Sequence, residues 1–80
     1  MTDSAMLRKL IERSGYKQRY IAERLGITYQ GFLKKLNNES EFKASEIQIL
    51  YKLLGMTEAE REAIFFAGNV DNLSTDRRKE

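Results

Sequence analysis

Gly26 stands between two apolar stripes, each with the spacing of a single helical face. Ile21, Ala22 and Leu25 precede it on one face of a helix, and Phe32 and Leu36 follow it four residues apart on one face of another. The glycine can supply the positive φ that ends the first helix, and Thr28 can cap the second. The run from Gln18 to Asn37 is therefore predicted to be two short helices with a three-residue link.

The rest of the chain reads as helix as well, with no proline and no internal repeat. Asp3 or Ser4 can cap a first helix whose stripe is Leu7, Leu10 and Ile11, with Gly15 as its stop. Asn38-Glu39-Ser40-Glu41 reads as a loop, and Phe42 as an apolar anchor just ahead of a helix from about Ala44 to Leu54. That helix carries Ile47, Leu50, Tyr51 and Leu54 at spacings of three and four, and Gly55 ends it. Thr57-Glu58-Ala59-Glu60 is a capping box that opens a fifth helix, expected over about Glu58 to Ala67. Beyond Gly68 periodicity is lost, and roughly the last eight residues are expected to be disordered.

Composition narrows the function classes. With 80 residues the chain makes one small domain, and a domain of that size buries only about 60% of the surface its unfolded chain exposes. It has no cysteine and no histidine, which excludes disulfides, thiolate nucleophiles, Ser-His chemistry and zinc held by sulfur or imidazole. No paired carboxylates at catalytic spacing are visible, so no enzyme is expected, and neither a cofactor nor a metal. Met1-Thr2-Asp3-Ser4 has an acid where a signal peptide has positive charge, and no apolar run reaches the ~20 residues of a membrane span. A soluble, cytoplasmic protein is expected.

The net charge of +2 conceals a division. Residues 1–36 carry eight Lys and Arg against three acids, a net +5, whereas residues 37–80 carry six against nine, a net −3. Positive charge thus gathers on the part that holds the paired helices, as a phosphate-facing surface requires. A solvated, Lys- and Arg-rich helix surface is the plainer reading of the same numbers.

Two helices joined by a short turn containing glycine form a helix-turn-helix arrangement. With Gln18 opening the first of them, Ala22 in its middle, Gly26 at the turn, apolar Ile27 next and Asn37 just past the second, the chain resembles the phage repressor and Cro type of helix-turn-helix family. The run from Phe32 to Phe42, with Leu36-Asn37-Asn38 and Ser40-Glu41-Phe42, is similar to short regulators of Gram-positive phages and mobile elements. The resemblance covers roughly residues 5–67. It implies an all-α, compact five-helix lambda-repressor-like DNA-binding domain over residues 1–68, with the helix-turn-helix at helices 2 and 3. Residues 69–80 would be a tail contributing to dimerisation. The chain departs from the family pattern at Lys17 and Lys43, which stand where capping residues are usual, and at Asn38, which stands where many relatives have glycine.

Helical spacing turns Phe32, Leu36 and in part Gly31 inward, leaving Tyr29, Gln30, Leu33 and Lys34 outward. In the resembled family the start of this helix enters the major groove, so these four are the expected base contacts. Gln30 can pair bidentately with adenine, Lys34 can donate to guanine or to phosphate, and Tyr29 and Leu33 can meet a thymine methyl. Leu33 could instead be a core residue of a slightly rotated helix. The resemblance also implies phosphate contacts from Gln18 and Asn37, with Lys17, Thr28, Lys35 and Lys43 beside them. Each lysine could equally be a solvated surface charge. Gly31 implies close approach of the helix to its neighbour or to the DNA backbone, or simple tolerance in a short helix.

Phe65 and Phe66 raise the question of partners, since one ring can close the core and the other is left over. Phe65, Phe66, Val70 and Leu73 are the expected interface of a symmetric dimer, unless Phe66 folds back onto Tyr51 or Tyr16 in a monomer. The expected function is sequence-specific binding of double-stranded DNA, at an operator that is an inverted repeat, by a repressor acting through occupancy. The rival is a helical protein-interaction module of antitoxin or antirepressor type.

Overall fold

In the computed structural model, which describes residues 2–66, five helices follow one another: α1 (Ser4–Ser14), α2 (Gln18–Leu25), α3 (Tyr29–Leu36), α4 (Ala44–Leu53) and α5 (Glu58–Phe65). No strand occurs among the described residues, so the fold is all-helical as expected. The expectations for Val70, Leu73 and the order of the tail lie outside the described residues.

Each helix starts where a backbone donor finds an acceptor. Asp3, rather than Ser4, caps α1, its Oδ1 accepting from the Met6 N–H at 3.1 Å. Ser4 turns its Oγ to the Leu36 carbonyl at the end of α3. Thr57 and Glu60 form the expected capping box on α5, with bonds of 3.0 and 2.9 Å. Lys43 cannot accept a hydrogen bond, so α4 begins with half a box: Glu46 Oε1 accepts from the Lys43 N–H at 2.8 Å. Lys17 leaves α2 without a side-chain cap. At the other end of the chain α4 stops one residue short of the expected Leu54, and α5 closes at Phe65 with Phe66 leaving helical geometry at φ −126°.

The core draws on every helix. Leu7, Leu10 and Ile11 of α1, Ile21, Ala22 and Leu25 of α2, and Phe32 and Leu36 of α3 meet Leu50 of α4 and Ile64 and Phe65 of α5. Phe42, in the α3–α4 link, is the hinge of this packing. Its ring lies edge-on to Phe32 at 6.2 Å and to Phe65 at 5.7 Å, the geometry that aromatic quadrupoles favour. Phe65 therefore closes the core at 7% exposure, which corrects its assignment to a dimer surface: packing against Phe42 turns position 65 inward. Phe66 is half-buried and packs on the core's edge, and is the described residue of that expected interface with surface to spare.

The α3–α4 link is tied to the N-terminus by Asn38. It takes a left-handed φ of 65°, and its side chain brackets Thr2, accepting from the Thr2 N–H and donating to the Thr2 carbonyl, both at 2.9 Å.

Candidate functional site

The α2–α3 turn is built from three residues with separate jobs. Gly26 adopts φ 75° and its N–H bonds to the Glu23 carbonyl at 3.0 Å, while the Ile27 N–H reaches the Ala22 carbonyl at 3.1 Å. This pair of bonds is a Schellman motif, and half-buried Ile27 packs on the core as such motifs favour. Thr28 then caps α3, its Oγ1 accepting from the Gly31 N–H at 2.9 Å. A Cβ on Gly31 would sit 3.0 Å from that same Oγ1. The close approach anticipated at Gly31 is thus to its own helix cap rather than to a neighbouring helix.

Past this turn α3 buries Phe32 and Leu36 and leaves the other side free. Gln30 and Lys34 are exposed. Leu33 is half-buried but does not belong to the side chains packed against the core, so its surface is directed away from it. Tyr29 is less free than its spacing suggests. The Arg19 guanidinium stacks over its ring at 4.3 Å, and its hydroxyl lies 3.4 Å from Gln18 Oε1, a long contact that joins the starts of α2 and α3. Gln18, Arg19 and Tyr29 therefore form one polar, aromatic ledge beside the open face of α3.

The anticipated phosphate contacts separate into two groups. Lys17 and Lys43 are exposed at helix starts, with no ion-pair partner among the described residues. Asn37 is exposed at the end of α3, and its Oδ1 accepts from Arg8 Nη2 at 2.6 Å. Thr28 is on the surface, but its hydroxyl oxygen is engaged as the cap. Lys35 is the correction. Its Nζ donates to the Glu41 carbonyl at 2.9 Å and lies 3.2 Å from Glu46 Oε1, so a buried carboxylate holds it inside the fold.

No protein-family model matches the chain, and neither a curated protein nor a solved structure matches it. Arg8 and Arg19 adjoin the expected site residues, through Asn37 and Tyr29, although sequence spacing singles out neither. Arg19 could have been suspected as the neighbour of Gln18 on α2, but Arg8 meets Asn37 across 29 residues of chain, a distance that leaves no local pattern. Among the described residues no helix is long and apolar enough to cross a membrane, and no group of His, Cys, Asp or Glu could hold a metal ion.

A second concave surface lies at α4 and α5. Phe42, Ile47, Gln48, Arg61, Phe65 and Phe66 line a half-open groove of about 540 Å³, with Glu41 also on its wall. The Arg61 guanidinium stacks over Tyr51 at 4.9 Å, and its Nε is buried without a hydrogen-bond partner among the described residues.

Proposed function

We propose that this chain is a sequence-specific, double-stranded DNA-binding regulator of the lambda-repressor-like type, with α2 and α3 as its helix-turn-helix. In this reading α3 enters the major groove and Gln30, Leu33 and Lys34 read bases, with Tyr29 at the groove's edge. The observation that carries the reading is the α2–α3 unit itself: a Schellman turn and a Thr cap hold α3 rigidly while its outer face keeps an amide, an apolar side chain and an ammonium free. A surface of that composition serves little purpose toward water, whereas each group matches a feature of base edges. Arg8, Lys17, Arg19 and Lys43, with Asn37 and Gln18, supply the surrounding phosphate contacts.

The mechanism is occupancy: the bound domain blocks polymerase at an operator overlapping a promoter, and no catalytic step, cofactor or metal is assigned to it. A repressor of a phage or mobile element, working in the bacterial cytoplasm, fits this action. A homodimer is part of the proposal. The α4–α5 groove supports it, because Arg61 and Glu41 in its lining give opposite charges that two copies related by a two-fold axis would pair crosswise, around Phe66. Val70 and Leu73 would extend that contact.

Selection of duplexes from a randomised pool at near-physiological salt tests the proposal. Enrichment of an inverted repeat with half-sites about 10 base pairs apart supports both DNA reading and dimer. Enrichment of a single half-site retains the first and removes the second. No enrichment shifts the assignment to the protein-interaction module, for which the same groove would be the binding surface.

A further inference from the structure

Tyr16 and Tyr20 are the large hydrophobic side chains most exposed among the described residues, at 41% and 38%, and they lie against each other with ring centroids 5.2 Å apart. They do not stand alone. One turn beyond Tyr20 comes Arg24, and Tyr16 and Arg24 share a shallow depression of about 340 Å³ with Ile49, Lys52 and Leu53 of α4. Ile49 and Leu53 are spaced as i and i+4, and both are half-buried, so they continue the apolar surface of the tyrosines across the α2–α4 seam.

The depression that Tyr16 shares with α4 carries charge of one sign. Arg24 and Lys52 line it, neither has an ion-pair partner among the described residues, and no acid is among the lining side chains. Tyr16 also borders a depression with Glu12, and Tyr20 one with Glu23, so acids flank the strip at its tyrosine end. Tyrosine and arginine around an apolar centre are the composition that dominates binding energy at protein interfaces. Arg24 lies on a different side of α2 from the ledge of Gln18, Arg19 and Tyr29, whereas Tyr20 borders a depression that it shares with Arg19 and Tyr29. Arg19 faces Tyr29, while helical geometry turns positions 20 and 24 roughly 100° and 140° away from position 19.

We propose that the Tyr16–Tyr20 strip is a second binding surface, whose partner is an acidic, apolar-faced protein segment laid across the α2–α4 seam. The segment places its apolar side chains on Tyr16, Tyr20, Ile49 and Leu53, and its carboxylates meet Arg24 and Lys52. The surface goes beyond DNA recognition and does not depend on it. If α3 does occupy a major groove, none of Arg24, Ile49, Lys52 and Leu53 is among the groups assigned to the DNA, so that one copy can hold an operator and a protein together.

The test is titration of the full chain, followed by amide chemical shifts, with a synthetic amphipathic helix of leucine and glutamate. Two controls accompany it: the same peptide with alanine for every leucine, and random-sequence duplex DNA. The expected result is shifts gathered on Tyr16, Tyr20, Arg24, Ile49, Lys52 and Leu53 with the leucine peptide. Affinity should fall at least about tenfold in Tyr20→Ala and in Arg24→Glu, and comparably with the alanine peptide. Both variants alter exposed side chains, and unchanged unfolding midpoints would show that the fold persists. Equal binding of the two peptides would reduce the strip to a site of charge attraction and overturn the proposal. So would shifts of the strip on adding DNA together with silence toward the leucine peptide, which would make it a phosphate contact. Loss of operator binding elsewhere would leave this result untouched.

Discussion

Lys35 Nζ lies 3.2 Å from Glu46 Oε1, with the two side chains only 12% and 5% exposed, so α3 and α4 are joined by an ion pair inside the fold. The same carboxylate oxygen also accepts the Lys43 N–H that opens α4. Removing the lysine alone strands a buried carboxylate, and Lys35→Met should destabilise the domain by about 3–5 kcal/mol. Replacing both partners, Lys35→Met with Glu46→Leu, should recover much of that loss, less about 1 kcal/mol for the missing α4 cap. Urea midpoints of the three proteins provide the comparison. A Lys35→Met midpoint equal to that of the parent would mean that water, not Glu46, holds the ammonium.

Asn38 combines a backbone demand with a side-chain one, and two substitutions separate them. Glycine accepts φ 65° without strain but loses both bonds to Thr2. Alanine loses the bonds and keeps the strain, so Asn38→Ala should be less stable than Asn38→Gly by about 1 kcal/mol. Equal thermal unfolding midpoints for the two would show that the left-handed conformation relaxes at little cost.

What the sequence made legible was local. The stripe of Ile21, Ala22 and Leu25, the stop at Gly26, the Thr28 cap and the inward Phe32 and Leu36 all follow from neighbours within four residues, and all are found as expected. The Thr57 capping box was readable for the same reason. Lys35 was not. Its partner Glu46 lies on another helix, across a link whose path has no sequence signature, so its charge read as surface charge. The choice between Phe65 and Phe66 also escaped local reasoning: adjacent positions on α5 differ by 100° of rotation, and only packing against Phe42 decides which ring turns inward. On the candidate site the outward set on α3 was legible from spacing, but the coupling of Tyr29 to Arg19 and Gln18, and of Asn37 to Arg8, required the folded chain.

On the proposed DNA-binding reading, the ion-paired, largely covered Lys35 should respond to charge removal differently from the exposed lysines. Lys17→Ala and Lys43→Ala remove exposed cations, and each should weaken all duplexes alike and lower the slope of log K against log salt by about 1. A charge-removing change at Lys35 should act through folding instead. In a buffer where the Lys35→Met protein stays folded, its salt slope should match that of the parent. A slope reduced at Lys35 as much as at Lys17 would place its ammonium at the phosphates.

Gln30 and Lys34 stand one turn apart on the open side of α3 and should differ in kind. The Gln30 amide has one donor and one acceptor to offer a base edge, so its value depends on which base is opposite. Gln30→Ala should cost about 1–3 kcal/mol on the selected operator and little on unrelated DNA, with relaxed preference at one base position. Lys34 carries a charge as well as donors. Lys34→Ala should weaken both duplexes and, where the ammonium reads guanine, weaken the operator more. Competition binding of the two variants against operator and random duplex separates these behaviours. Equal losses on every sequence for both would mean that α3 rests on the backbone and that bases are read by another part of the chain.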